Sequence, residues 1–534
     1  MRTVRDEAFE VVSRLDMGTI FANPGSTEVP MLTDLPDDLE FVLALHEASV
    51  VGMATGWALG RRSPAFVVLH TTAGLGNAVG ALATARVNRA PLVVLVGQQD
   101  RRHLALEPFL TGRLTGLAGD YPVSVEQPLR AQDVPGALAR AWHTARERRG
   151  PALVIVPMDD WSAPAEDSGV LPAATEVHRA TGVDEAVVGR LVEVLAEATS
   201  PALVVGAGAD DRATWRALVA LAERLRCPVR QESFGARAGF PQDHPLFAGH
   251  LPAARSRLRQ VLAGHDVVLC VGAPVFRQYP YEPGPLAEPG TRVLLVTDDP
   301  EEAHRSPVEL AVLGGPGEVC ARLAERVPAR DVPMPATHRA APPPPPGPSE
   351  PLRAAHVLAA LAERLPADAV VVEETPSTRP DLHALLPARA PMGFLSAAMG
   401  GLGFALPAAT GLRMARPDRP VVAVVGDGAS LYAIQSLWTA AHYGVGALFV
   451  VLSNGRYAVL DHLARGHGGG KPPWPGFAEI SVRDLALALG CPASRPTGHA
   501  ELLGILDDVV PGLADRGEPL LLDVPVTVDP TFDP

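Results

Sequence analysis

The chain predicts an α/β protein of three domains, each a parallel sheet flanked by helices. Three observations carry this. Short apolar runs recur along all 534 residues, rich in Val and Leu and not alternating with polar residues, as strands buried on both faces require. Stretches of helical period lie between them, and strand–helix alternation is the pattern of parallel sheets. Two breaks divide the chain into segments 1–165, 183–335 and 350–534, each large enough to close its own core.

Taken in order, the first segment holds strand-like runs at Ala65–Leu69, Pro91–Val96 and Ala152–Val156, with helical periods at Glu47–Leu59 and Val134–Arg148. A polar break covers Ala163–Gly182. The second segment opens on a helical stretch, Asp184–Ala198, and continues with runs at Ala202–Val205, Val267–Val271 and Arg292–Val296. Pro342–Pro346, followed by Gly347 and Pro348, makes a stiff polyproline-like linker. The third segment has runs at Val421–Val425 and Ala447–Leu452 around a helical stretch, Leu431–Tyr443. No short sequence repeat is visible.

Composition removes several functions. Forty-six Lys+Arg against 60 Asp+Glu leave a net charge of −14, with no basic run, which disfavours nucleic acid and anionic lipid as partners. Lys471 is the only lysine and precedes Pro472, so the GxxxxGK[ST] phosphate loop is absent and Schiff-base chemistry has one poor candidate. The 4 cysteines stand far apart, without a CxxC pair. No secretory leader or bilayer-spanning run is visible, so a reduced, soluble, cytoplasmic protein without membrane attachment is expected.

The most informative stretch is Val421–Val425, which ends in Gly426-Asp427-Gly428, with Ala429 and Ser430 next. The run Ala447–Leu452 ends in Ser453-Asn454-Gly455-Arg456. Parallel strands joined by a right-handed crossover bring both ends to one sheet edge. There the Asp427 carboxylate and Asn454 amide oxygen can share one hard cation, Mg²⁺ completed by a diphosphate. Alone, GDG is most often a plain turn. As dinucleotide fingerprints, Gly426–Leu431 and Gly206–Asp211 both fail at the third glycine, which disfavours a Rossmann dehydrogenase.

GDG followed after 25 residues by Asn resembles the thiamine diphosphate (ThDP) signature, with Ser453 in place of the usual second Asn. The resemblance extends through Asn23-Pro24-Gly25-Ser26, Leu45-His46-Glu47, Leu69-His70-Thr71, Val271-Gly272-Ala273-Pro274-Val275-Phe276-Arg277 and Gly400-Gly401-Leu402-Gly403. Together these resemble the benzoylformate decarboxylases, within the pyruvate decarboxylase/acetolactate synthase superfamily. The resemblance implies a pyrimidine-binding first domain, a Rossmann-like centre and a diphosphate-binding last domain. It implies ThDP and Mg²⁺ as cofactors, and non-oxidative decarboxylation of an aryl or branched 2-oxo acid to an aldehyde and CO₂. It also implies a site between subunits, hence a dimer at least and a tetramer by expectation.

Roles follow residue by residue. Glu47, otherwise a helix-start carboxylate, would hydrogen-bond the cofactor's aminopyrimidine. Leu402, otherwise a core leucine, would hold the cofactor bent, with Gly400 and Gly401 allowing close approach. Ser26, by default a solvated turn serine, would face the substrate carboxylate. His70, more often structural in such a place, would exchange a proton near the substrate oxygen. Gly426, Asp427, Gly428, Ala429, Ser430, Asn454 and Tyr457 would contact the cofactor. Asp427, Asn454 and Arg456 would serve the metal.

Three departures from the family pattern stand out. Tyr279 falls where a second histidine is expected; a phenol is a poor proton shuttle at pH 7 and could shift the outcome toward carboligation. In Glu373–Arg379, Pro376 and Arg379 replace threonines, leaving Ser377 and Thr378 as candidate diphosphate contacts. Ser396 replaces an aromatic residue, which suggests a roomier or more polar pocket, beside Val459, Leu460 and Leu463; a plain amphipathic helix face explains those three nearly as well. The alternatives are a carboligase of the acetolactate synthase or benzaldehyde lyase type, and an inactive cofactor-binding assembly or regulatory homologue.

Overall fold

The computed structural model describes residues 1–166, 173–180, 182–337, 340–347, 350–466 and 472–528. Lys471, Pro348 and part of the Ala163–Gly182 break lie outside the described residues. Three six-stranded sheets form, and every strand pairing in them is parallel. The expected α/β class therefore holds.

The first sheet comprises β1 (Thr19–Asn23), β2 (Glu40–Leu43), β3 (Ala65–His70), β4 (Leu92–Gln98), β5 (Ser124–Glu126) and β6 (Pro151–Pro157). The second has β7 (Pro201–Val205), β8 (Val229–Gln231), β9 (Phe247–His250), β10 (Val267–Val271), β11 (Arg292–Thr297) and β12 (Leu310–Leu313). The third has β13 (Val370–Glu374), β14 (Phe394–Ser396), β15 (Val421–Gly426), β16 (Leu448–Ser453), β17 (Ala493–Ser494) and β18 (Leu520–Pro525). The outer sheets share one strand order, β2-β1-β3-β4-β6-β5 and β14-β13-β15-β16-β18-β17. The central order, β12-β11-β10-β7-β8-β9, is that of the dinucleotide-binding Rossmann sheet.

The central strands are mostly apolar, with polar residues at or near their C-terminal ends, because helices cover both faces. All seven residues of β4 and of β6 are buried, for example. The expected helix over Leu431–Tyr443 is shorter, running Ser436–His442 after a separate single turn, Asp427–Ser430. Turns at Tyr432 and Ala433, closed on the carbonyls of Ala429 and Ser430, fill the gap.

The outer domains meet through two helices, Glu47–Arg61 and Ala405–Ala415. Glycine permits this approach. A Cβ on Gly56 would lie 2.0 Å from the Ala408 carbonyl oxygen, and one on Gly411 would lie 1.9 Å from that of Met53. All four cysteines are buried, which pushes the thiols of Cys227, Cys320 and Cys491 up to about 12 and raises that of Cys270 as well. Among the described residues no helix is long and apolar enough to cross a membrane.

Candidate active site

Functional side chains gather where the parallel strands of the outer sheets end, the edge at which α/β sheets leave backbone groups unpaired. In the first domain, Glu47 begins its helix directly after His46, whose Nδ1 caps the turn by accepting from the Ala48 N–H at 3.1 Å. The Glu47 side chain is buried, and among the described residues no cationic side chain pairs with it. Its Oε1 accepts from Asn23 Nδ2 at 3.2 Å and its Oε2 from Asn77 Nδ2 at 3.0 Å. Two amides thus orient a carboxylate that retains acceptor capacity.

His70 ends β3 beside the turn after β1. Its Nδ1 lies 3.0 Å from Glu28 Oε2 and 2.9 Å from Thr27 Oγ1. Glu28 is 1% exposed, accepts from the Gly25 N–H at 2.8 Å, and is also bonded by the Thr27 hydroxyl. Gly97 is required behind it, since a Cβ there would lie 1.7 Å from Glu28 Oε1. Ser26 is exposed at the tip of the same turn. Thr71, next to His70, holds φ +30°, a strained value for a β-branched residue. The expected residues Glu47 and His70 are thus each held by side chains that the sequence did not single out as partners, Asn23 and Asn77 for the first and Glu28 for the second.

In the third domain, β15 and β16 are adjacent and in register, with Gly426 beside Leu452. Asp427 and Asn454 therefore emerge side by side. Asp427 Oδ2 accepts from the Asn454 and Gly455 N–H groups at 2.8 and 2.6 Å, and Oδ1 from that of Gly428 at 2.8 Å. Burial pushes the Asp427 carboxyl up against the pull of these donors, and the Asp523 carboxylate adds to the rise. A buried carboxylate with backbone partners and no cationic side chain, beside an amide oxygen, fits a hard divalent cation. Asn454 Oδ1 itself accepts from the Arg456 N–H at 3.1 Å. The Arg456 guanidinium turns away to Asp461 at 2.7 Å, so only its carbonyl could serve a metal. Among the described residues no group of three or more His, Cys, Asp or Glu is placed to hold a metal ion.

The neighbours of this seat are also fixed. Ser430 donates its hydroxyl to the Asp427 carbonyl at 2.7 Å, and Ala429 lies in the same buried turn. The Tyr457 ring covers Gly428, where a Cβ would meet Cε1 at 2.7 Å, and packs on Phe477. Ser453 turns its hydroxyl to Asp523 at 2.5 Å. Ser377 accepts from the Val459 N–H at 3.1 Å, joining its turn to the helix Ala458–Gly466, and Thr378 is half-buried at the start of the helix Arg379–Leu385.

A cavity of about 1660 Å³ opens between the central and C-terminal domains. Leu402, Gly400, Gly401, Val459, Leu463 and Tyr279 are in its wall; Ser26, Glu47 and His70 lie outside it. Leu402 is 38% exposed on a loop tied down by Glu374, which accepts the N–H groups of Gly403, Phe404 and Ala405 at 2.6, 2.8 and 2.6 Å. Burial pushes the Glu374 carboxyl up to about 7 despite these donors. Tyr279 is largely exposed and meets Phe234 edge-on. Leu460 stands outside the wall, and Ser396 is buried, donating to Glu373 Oε2 at 2.8 Å.

Comparison with known proteins agrees with this layout. The thiamine pyrophosphate enzyme N-terminal TPP binding domain matches residues 2–117, the central domain 188–323 and the C-terminal TPP binding domain 377–524. Benzoylformate decarboxylase of Pseudomonas aeruginosa is 38% identical over 99% of this chain and 100% of its own. A solved 4-hydroxybenzoylformate decarboxylase of Rhodococcus jostii RHA1 superposes with a TM-score of 0.93 at 35% identity, covering 99% of this chain and 100% of that one. The benzoylformate decarboxylase of Polynucleobacter necessarius gives 0.93 at 32%, covering 100% of both. With three domains matched in order and identity sustained from end to end, the chain belongs to the thiamine pyrophosphate enzymes.

Proposed function

We propose that this protein is a ThDP- and Mg²⁺-dependent decarboxylase of aryl 2-oxo acids of the benzoylformate class, releasing an aldehyde and CO₂. The observation that carries the reading is the seat made by Asp427 and Asn454, a buried anionic oxygen and an amide oxygen at adjacent strand ends. When bound, the cofactor supplies a nucleophilic carbon and an electron sink for the charge left by CO₂. Asp427 and Asn454, with the Arg456 carbonyl, hold the metal that neutralises its diphosphate. Glu47 offers its carboxylate to hydrogen-bond the cofactor's aminopyrimidine, in the orientation set by Asn23 and Asn77. Leu402 positions the cofactor on a loop stiffened by Glu374.

Ser26 orients the substrate carboxylate without gripping it, since tight binding of that charge would oppose its loss. His70 has Nδ1 engaged by Glu28 and Thr27, which leaves Nε2 to exchange a proton with the substrate oxygen. Val459, Leu463 and Tyr279 form the wall around the substrate. The exclusion of Ser26, Glu47 and His70 from that wall supports a site completed by a second subunit, hence a dimer at least and a tetramer by expectation. The three domains correspond to 1–165, 183–335 and 350–534, and the enzyme works in the cytoplasm.

The test follows CO₂ release from a panel of 2-oxo acids, benzoylformate first, with added ThDP and Mg²⁺. Release that depends on both cofactors and disappears in Glu47→Gln is expected. Cofactor binding without release from any acid would point instead to a carboligase acting on other donors.

A further inference from the structure

The edge of the third sheet is completed from outside its own domain. β14 is the outermost strand there, paired with β13, and its exit, Ser396–Ala398, runs directly into the loop that carries Leu402. Asn88, the C-cap of the helix Thr71–Val87 in the first domain, is fully buried against this exit. Its Nδ2 donates to the Ser396 carbonyl at 2.9 Å, and its Oδ1 accepts from the Ala398 N–H at 3.0 Å. Those two groups flank Ala397 and are the pair that one residue of a further parallel strand would take. A single carboxamide thus stands in for a neighbouring strand.

The central domain fixes the same stretch from another side. The Ala236 carbonyl accepts from the Ser396 N–H at 2.9 Å, and Arg277 Nη1 donates to the carbonyls of Ala398 and Phe234 at 3.1 and 2.7 Å. Asn88 is itself held there. Its carbonyl accepts from Arg237 Nη1 at 2.9 Å, and Arg237 Nε pairs with Asp210 at 3.2 Å. Asp210 in turn accepts from the Met392 N–H at 2.8 Å, just before β14.

Beyond Ala398, Met399–Leu402 span the gap to Gly403, where Glu374 takes the N–H groups of Gly403, Phe404 and Ala405. Gly400 and Gly403 hold φ +73° and +86°, values that set the course of the loop. Thr84, one turn before Asn88, lies against it, since a Cβ on Gly401 would meet the Thr84 hydroxyl at 3.0 Å. The span is short and pinned at both ends, so a displacement of Ala398 passes to Leu402 instead of being absorbed by slack.

We infer that Asn88 is a positioning residue for the cofactor: by completing the edge of β14 it sets the height of the loop that places Leu402 against ThDP. The inference rests on the role proposed above for Leu402 and not on which acid is decarboxylated. Asparagine alone meets the demand, because aspartate lacks the donor, leucine lacks both polar atoms and glutamine is longer by a methylene.

The test measures calorimetric affinities of the full chain for ThDP and for inorganic diphosphate, each with Mg²⁺. Diphosphate reports on the Asp427 and Asn454 seat without reaching Leu402. Asn88→Leu should weaken ThDP about tenfold and leave diphosphate within about twofold of wild type. It should also lower kcat by about ten- to a hundredfold with KM for benzoylformate unchanged. Asn88→Asp, which keeps the shape and one of the two bonds, should show the same selective loss. Leu218→Ala, a cavity in the central core remote from the loop, should leave both affinities and kcat at wild-type values. Wild-type ThDP affinity in both Asn88 variants would overturn the inference. Equal losses for the two ligands, or failure of both variants to fold, would make Asn88 a structural residue and overturn it too. If no acid is decarboxylated but the selective loss of ThDP affinity is seen, the inference stands and the decarboxylase reading falls.

Discussion

Gly56→Ala should damage both stability and activity, although alanine is the better helix former. The added Cβ would lie 2.0 Å from the Ala408 carbonyl oxygen, where ordinary contact begins at 3.4 Å, so the two helices must part by roughly 1.4 Å. The obstacle is backbone, and no side-chain rotation relieves it. Overpacking of this kind costs about 1–3 kcal/mol, against a propensity gain of about 0.5–1 kcal/mol; a backbone obstacle puts the cost at the upper end, leaving a net loss of roughly 2 kcal/mol. Glu47 starts the same helix, and a displacement of about 1 Å at a reacting group can cost about a hundredfold in rate. Urea midpoints and kcat/KM would be measured beside Gly504→Ala, a control in the helix His499–Val509 whose Cβ meets nothing within 4 Å. That control should gain about 0.5–1 kcal/mol. If Gly56→Ala were as stable and active as wild type, close backbone contact could not be what sets the spacing of the outer domains.

Other outcomes follow from individual contacts. Glu374 titrates at about 7 in the folded protein against 4.5 for a free glutamate, so the folded state holds a proton that the unfolded chain has lost. Stability should therefore fall as pH rises through that window, by at most ~3 kcal/mol, and Glu374→Gln should flatten the slope of urea midpoints between pH 5 and 8. Glu28→Ala should lower kcat/KM about ten- to a hundredfold by releasing His70 Nδ1, and Gly97→Ala should imitate it by displacing Glu28. Tyr279→His should raise aldehyde release relative to ligation products, measured by chromatography of the reaction mixture; an unchanged ratio would remove Tyr279 from the protonation step.

Legibility tracked the range of the interactions involved. Asp427 and Asn454 could be paired from sequence because adjacent parallel strands obey a local connection rule, and Val421–Val425 and Leu448–Leu452 are uninterrupted apolar runs. Short polar edge strands such as Ser124–Glu126 gave no periodic signal. The common strand order of the outer sheets was invisible too, since buried parallel strands ask only for branched apolar residues and leave their order free to drift. Glu28 and Glu374 were missed for a different reason. Each reads as an ordinary carboxylate, and its role comes from partners 42 and about 30 residues away. Leu431–Tyr443 had the composition of one helix, but turns closed on Ala429 and Ser430 take up its start and leave only Ser436–His442 helical.

The four sequestered thiols have a practical corollary. Only thiolates react readily with maleimides and disulfide reagents, and a thiol titrating near 12 is ionised in roughly one molecule in ten thousand at pH 8. The folded protein is therefore a silent background for cysteine labelling. A cysteine introduced at Tyr279 or Leu402, both exposed on the cavity wall, would carry a fluorophore or spin label at one defined position without first stripping the native cysteines.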